Sequence, residues 1–237
     1  MKLKYKRVLL KLSGEVLSGA AERGVDFKLL DKIAIEIRKI QKAGAEIAIV
    51  IGGGNYWRYR DFKDSNLDRV NSDYLGMLAT VINCVALQDE LKHYGLKAQV
   101  LSALPIEKIV EDFSARRGRE LLDQGVVVIC AGGTGNPFCT TDSAAALRAG
   151  ELHCEVVLKA TNVDFVYDKD PRKFPDAKPY KKISYDEVLE RRLGVMDLGA
   201  IATAREAQLP IVVFNLNRPA NMLEILSGKN IGTFIYQ

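Results

Sequence analysis

The chain has 237 residues, 48% hydrophobic and 27% charged, with 34 basic against 30 acidic side chains and a formal net charge of +4. This is the composition of an ordinary globular protein, long enough to bury a sizeable core as one domain or two; with no Lys/Arg run longer than two residues, it gives no ground for a nucleic-acid partner. No run of 18 or more apolar residues occurs, so no membrane span is expected, and two histidines with four cysteines that lack CxxC spacing speak against a zinc site.

Residues 1–12 are basic and then apolar. The apolar part (Val8, Leu9, Leu10, Leu12) is short, is interrupted by Lys11 and meets no cleavage site, so residues 7–12 read as a first strand rather than a signal peptide. Residues 26–43 follow with Phe27, Leu30, Ile33, Ala34, Ile37 and Ile40 at helical spacing, Asp26 as a cap and Gly44 as a stop. Strands are predicted at 45–51, 98–101, 126–130, 156–158, 211–214 and 233–236, several of them apolar at consecutive positions, as strands covered on both faces are. Helices are predicted at 74–94, 141–149, 185–192, 197–208 and 219–226, and the stretch 168–179, with Pro171, Pro175 and Pro179, reads as a surface loop. Strand–helix alternation without a Gly-, Pro- or Ser-rich linker predicts an α/β fold: one domain over residues 1–237, a three-layer αβα sandwich around a mostly parallel sheet. Cys130 and Cys154 fall in apolar strand-like runs, so the four cysteines (with Cys84 and Cys139) read as free thiols in a reducing cytoplasm.

Three glycine-bearing turns follow three predicted strands: Lys11-Leu12-Ser13-Gly14-Glu15, Gly52-Gly53-Gly54-Asn55 and Gly132-Gly133-Thr134-Gly135-Asn136-Pro137. Open parallel sheets bind ligands beyond the carboxyl ends of their strands, and glycine lets backbone N–H groups approach phosphate oxygens there. A single such turn is usually only a turn. The GxxxxGK[ST] motif is absent, and GxGxxG fails in both later turns because Trp57 and Phe138 occupy the last glycine position, which weakens a dinucleotide-dependent oxidoreductase. Lys11 and Lys159 stand inside apolar strands, each followed by a polar turn (Ser13-Gly14, Thr161-Asn162). They are either strand-end lysines reaching solvent or cations placed against phosphate. Asp142, in Thr140-Thr141-Asp142-Ser143, is either a helix N-terminal charge or the carboxylate that holds both ammonium groups.

The run Gly133-Thr134-Gly135-Asn136-Pro137-Phe138-Cys139-Thr140-Thr141-Asp142-Ser143-Ala144 closely resembles the signature of bacterial uridylate kinases, within the amino acid kinase superfamily. So do Leu10-Lys11-Leu12-Ser13-Gly14-Glu15, Ile51-Gly52-Gly53-Gly54-Asn55 with Arg58, Asp73 with Gly76-Met77-Leu78-Ala79-Thr80, Leu158-Lys159-Ala160-Thr161, and Val195-Met196-Asp197. The resemblance runs from about Tyr5 to the C-terminus. It implies the amino acid kinase fold and transfer of the γ-phosphoryl group of ATP to UMP, giving UDP and ADP in pyrimidine nucleotide biosynthesis. It places Lys11, Leu12, Ser13, Gly14, Gly54 and Arg58 at the ATP phosphates, Lys159 on the transferred group with Asp142 positioning both lysines, and Thr161, Asn162, Tyr167 and Asp170 around adenosine and its phosphates. Gly53, Asp73, Thr134, Gly135, Asn136, Pro137, Phe138, Cys139, Thr140 and Thr141 would hold UMP, with Asp73 on the ribose hydroxyls. Mg2+ would ride on the nucleotide phosphates, and the assembly would be a cytoplasmic homohexamer, a trimer of dimers.

The chain departs from the family in places. Tyr59-Arg60-Asp61 follows Arg58 where glycine is expected, the turn at 18–24 contains Ala20-Ala21, and Gln99 and Val126 stand where relatives carry arginine for a GTP effector. Two alternatives remain at this point. One is a superfamily kinase of a small carboxylate or carbamate, which would lack the Asn136-Pro137-Phe138 loop; the other is a nucleotide-binding storage or regulatory protein without turnover, which would have lost Lys11, Lys159 or Asp142.

Overall fold

The computed structural model describes residues 3–19, 21, 23–62 and 65–237. Ala20 of the unusual turn, and Met1 and Lys2 of the basic N-terminal stretch, lie outside them. In chain order the elements are β1 (Arg7–Leu12), α1 (Gly14–Leu17), α2 (Phe27–Lys42), β2 (Glu46–Ile51), a 3-10 turn (Tyr59–Phe62), α3 (Arg69–His93), β3 (Ala98–Ser102), β4 (Glu111–Asp112), α4 (Ala115–Asp123), β5 (Val127–Ala131), α5 (Thr141–Glu151) and β6 (Val156–Thr161). There follow β7 (Val166–Tyr167), β8 (Pro179–Tyr180), β9 (Lys182–Ser184), α6 (Tyr185–Glu190), α7 (Leu198–Glu206), β10 (Ile211–Asn215), α8 (Asn221–Leu226) and β11 (Thr233–Tyr236).

Nine of these strands form one sheet in the order β4-β3-β5-β2-β1-β6-β10-β11-β9. All neighbours are parallel except β10 with β11. The central strands are apolar on both faces because helices cover both. Val8, Leu10 and Leu12 of β1 pack with α2, α3 and α8, and Leu9 packs with α4, α5, α6 and α7. This is the three-layer sandwich that the alternation predicts. β1 lies at mid-sheet, with β2 on one side and β6 on the other, so the chain order switches direction there; that is where open α/β sheets place ligands.

Several boundaries differ from the sequence reading. α3 begins at Arg69 rather than 74, because the Asp68 carboxylate accepts from the amides of Val70 (2.9 Å) and Asn71 (3.2 Å) and caps a turn with no apolar pattern of its own. α4 is an additional helix with few apolar residues, started by Ser114, which accepts from the Arg117 amide at 3.2 Å. β6 runs to Thr161, so Lys159 lies within the strand and not at its end. α6 stops at Glu190, with Arg192 at a positive φ of 49°. The 168–179 loop closes at its base through the β7–β8 ladder.

The first two glycine turns pack backbone to backbone. A Cβ built on Gly14 would lie 2.5 Å from the Gly52 carbonyl oxygen and 2.6 Å from the Gly54 nitrogen. Neither neighbour is a side chain that can swing away. Gly14→Ala should therefore force the two turns apart and lower stability by about 1–3 kcal/mol, as overpacking does. Thermal denaturation checks this, and a wild-type Tm for the variant would refute it.

Candidate active site

Lys11 of β1 and Lys159 of β6 are directly paired in the parallel register, so their side chains leave the same face of adjacent strands near the carboxyl ends. Both are buried, each 7% exposed. Two ammonium groups side by side in a covered layer need an anion, and α5 delivers it. Lys11 Nζ lies 2.9 Å from Asp142 Oδ1 and Lys159 Nζ lies 2.6 Å from Asp142 Oδ2. The Lys11 contact is an ion pair off the hydrogen-bond axis, whereas Lys159 donates a hydrogen bond to Asp142 and another to the Val195 carbonyl.

Burial is the largest single influence on both titrations. It would raise the Asp142 carboxyl, but the two ammonium groups outweigh it and hold that carboxyl below the usual range. Burial pushes the Lys159 ammonium down to about 8; Asp142 opposes the shift and Lys11 reinforces it.

Asp142 is held by its helix start. The Thr140 hydroxyl accepts from the amides of Asp142 (3.0 Å) and Ser143 (3.2 Å) and donates to the Asp197 carboxylate. Asp197 in turn caps α7 through the Ala200 amide (2.8 Å) and accepts from the Ser143 hydroxyl at 3.2 Å. Its helix-cap position was readable from the sequence; its bridge to Thr140 was not.

Around this centre lie three cavities at the carboxyl edge of the sheet. The middle one, about 220 Å³, is lined by Lys11, Ser13, Gly14, Gly54 and Asp142. On the α3 side lies a cavity of about 660 Å³, lined by Gly53, Gly54, Arg58, Asp73, Thr134, Asn136 and Cys139 to Thr141. Toward β10 lies one of about 470 Å³, lined by Thr161, Tyr167, Asp170 and Val195. Glu15, Gly54, Thr140 and Thr141 line both the first and the second.

The structure thus brings most of the sequence-derived residues to one edge. Gly135, Pro137 and Phe138 do not line the large cavity; Phe138 is 70% exposed at a φ of 63°. The Leu12 side chain lies in the core on the α2 side, which leaves only its backbone for a ligand, and Asn162 does not line the third cavity. Asp73 accepts from the Phe138 amide (2.8 Å) and pairs with Arg69 (2.9 Å), so it braces the 134–141 loop. Arg58 Nε donates to the Gly54 carbonyl (2.6 Å) and its Nη2 pairs with Glu15 (3.0 Å). Sequence reasoning missed Arg69, which stands in no motif, and gave no role to Glu15, which it named only as the last residue of the first glycine turn.

The amino acid kinase family profile matches residues 6–215. The chain is 50% identical over 233 residues to a uridylate kinase of Xanthomonas campestris pv. campestris, covering 98% of this chain and 97% of that protein. Among solved structures, it superposes on a UMP kinase from Bacillus anthracis with a TM-score of 0.95 and 38% identity, covering 98% of this chain and 96% of that one. On a UMP kinase from Ureaplasma parvum it superposes with a TM-score of 0.93 and 36% identity over 100% of both chains.

Replacing Asp142 tests the centre directly. Asp142→Asn leaves two buried ammonium groups without their carboxylate, and breaking a buried ion pair this way costs about 3 kcal/mol. Urea denaturation at neutral pH should show that loss, with the Lys159 titration moving further below 8 because its main opposing charge is gone. Unchanged stability would mean that solvent already screens the cluster.

Proposed function

We propose that this chain, which belongs to the amino acid kinase family and within it to the uridylate kinases, transfers the γ-phosphoryl group of ATP to UMP. It is a phosphotransferase of the nucleoside monophosphate kinase class. The observation that carries the reading is the buried Lys11–Asp142–Lys159 cluster set between a nucleotide-sized cavity and a second cavity. A non-catalytic storage protein has no need to hold two cations at such a junction. A carbamate or small-carboxylate kinase has no use for about 660 Å³ on the acceptor side, a volume suited to a whole nucleotide.

In this reading UMP lies in the large cavity, held by Gly53, Asp73 and the loop from Thr134 to Thr141. The ATP phosphates cross the middle cavity over Lys11, Ser13 and Gly14, and adenosine lies toward Thr161, Asn162, Tyr167 and Asp170. The UMP phosphate, with a second pKa of about 6, is largely a dianion at neutral pH, so no general base is needed. Catalysis is then positioning plus stabilisation of charge on the transferred group by Lys11 and Lys159. Asp142 keeps both ammonium groups aimed at the junction. Arg58 adds a third cation, with Glu15 as its partner until phosphate arrives. Magnesium enters as part of the nucleotide substrate, since the oxygen pair of Asp142 is already committed to lysines.

The finer points belong to the same proposal: one domain, a cytoplasmic setting, pyrimidine nucleotide supply, a hexamer built from dimers, and weak response to GTP because Gln99 and Val126 carry no charge. Support for an assembly comes from α3, whose outer face exposes Leu75 (36%), Leu78 (44%) and Ile82 (52%) at helical spacing. Light scattering should give a particle several times the 26.3 kDa of one chain, and Leu78→Glu should shift it toward the monomer. A wild-type monomer at micromolar concentration would remove this part of the proposal.

The activity itself is tested by ADP release with Mg–ATP against a panel of nucleoside monophosphates and small acids. UMP should exceed CMP by well over tenfold, because a polar site matched to uracil leaves unpaired groups against cytosine. Lys11→Met or Lys159→Met should lower kcat about 100-fold or more. Lys159 acts as a cation and titrates near 8 in the free chain, so kcat/KM for ATP should decline as pH rises through about 8; the residual activity of Lys159→Met should lack that decline. Comparable rates with UMP and a small acid would overturn the reading.

A further inference from the structure

The inner face of α3 reaches past the large cavity to the backbone of two glycine turns. Thr80, 5% exposed, accepts a hydrogen bond from the Gly132 amide at 2.8 Å, and its own hydroxyl donates to the Met77 carbonyl at 2.6 Å. One turn further along, Asn83 is fully buried. Its amide donates to the Gly52 carbonyl (2.8 Å) and to Asn55 Oδ1 (2.8 Å), and Asn55 donates back to it at 3.0 Å. The helix can come this close only because Gly53 lacks a side chain: a Cβ there would lie 2.5 Å from the Gly76 carbonyl oxygen.

We infer that Thr80 and Asn83 are positioning residues, which hang the acceptor-side turn at Gly132 and the phosphate-side turn at Gly52–Asn55 from one helix and so set the distance between the two substrates. The inference rests on the kinase reading above for its kinetic consequences, though not for its geometry. The two residues are three positions apart and therefore share a helix face. Both are polar in a covered layer, where an apolar residue would pack at no hydrogen-bonding cost. Asn83 lines none of the three cavities, and Thr80, which does line the large one, has its hydroxyl committed to the Gly132 amide and the Met77 carbonyl, so each acts through the turn that it holds.

The roles separate by turn. Removing the Thr80 hydroxyl leaves the Gly132 amide buried without an acceptor and loosens the start of the 132–141 loop. Removing the Asn83 amide frees Gly52 and Asn55, and through them Gly14, which the second turn abuts. Thr80→Val should raise KM for UMP about tenfold, the cost of one unpaired buried group, with KM for ATP within twofold of wild type. Thr80→Ser keeps the hydroxyl and should restore KM for UMP. Asn83→Leu should lower kcat and raise KM for ATP as well as for UMP, because the turn it frees lines both the middle and the large cavity.

Two further measurements keep destabilisation and the choice of substrate apart from this inference. Leu87→Ala weakens the same helix by removing a buried core side chain one turn beyond Asn83, with no hydrogen bond to either turn; it should lower Tm and leave both KM values unchanged. Amide hydrogen exchange on the free protein reads the geometry with no substrate at all. Thr80→Val should speed exchange across residues 130–136 and not across 50–56, and Asn83→Leu should do the reverse. If Leu87→Ala shifts KM as Thr80→Val does, or if exchange at 130–136 is unchanged in Thr80→Val, the two residues are ordinary core groups and the inference fails. A wild type inactive on UMP would sink the kinase reading and leave the exchange result to decide this one.

Discussion

Two ammonium groups on neighbouring strands of a buried sheet face are the constraint on which the rest of this structure depends. In a covered layer they repel each other and lose their water, and each effect is larger there than at a surface. One carboxylate placed against both makes the arrangement tenable. Asp142 can do so only if α5 starts at the right height above β1 and β6, and that start is defined by the Thr140 cap and its bond to Asp197. The parallel register that sets Lys11 opposite Lys159 is part of the same condition, since a shift of one residue would send either side chain to the other face of the sheet. Burial leaves the Lys159 ammonium easier to deprotonate than an ordinary lysine, which means that it gains from any anion that arrives. In the proposed reaction that anion is the transferred phosphoryl group.

The glycine turns meet a complementary requirement. Charge at the centre is useful only if phosphate oxygens can come within a few ångströms of it, and bulky side chains on the first two turns would prevent that. Gly14 and Gly53 each lie with a backbone carbonyl 2.5 Å from where a Cβ would stand, so their absence of a Cβ is needed before any ligand is considered. The fold and the site therefore ask for glycine at the same positions for different reasons. Substitutions there cannot separate stability from function.

Much of this was legible in the sequence because the signals were strong and local. Consecutive apolar residues marked the strands, Asp26 and Gly44 marked the ends of α2, and two lysines inside apolar runs demanded a partner that Asp142 supplies. What escaped was set by polar groups acting at a distance or against the apolar pattern. α4 is only nine residues long and keeps its apolar side chains Leu121 and Leu122 to one end, and the first turn of α3 is held by an aspartate cap instead of by packing. The displacement of Phe138 from the cavity depends on a positive φ that a phenylalanine rarely adopts and that no sequence pattern announces. Asp73 was expected only at a ligand; its bond to the Phe138 amide is long-range in the chain and could not be inferred from spacing.

α3 shows why pattern alone is an incomplete guide. By length and composition it is apolar enough to cross a membrane, and its apolar residues run round most of its circumference. In the fold, part of its inner face is polar: Ser72, Thr80 and Asn83 are all buried and all hydrogen-bonded to turn or site residues. Its outer face keeps Leu75, Leu78 and Ile82 at the surface. The rest of that inner face is apolar, with Met77, Val81, Cys84, Leu87 and Leu91 buried, as a core-facing helix requires. The buried polar groups among them are tolerated because each is satisfied, Thr80 and Asn83 by the backbone of the glycine turns and Ser72 by the Trp57 ring N–H. Leu75, Leu78 and Ile82 remain exposed to a third or more of their surface on the opposite side. α3 is thus apolar on both sides while its inner face holds the site, so that whatever covers the outer surface rests directly on the element that spaces the two turns.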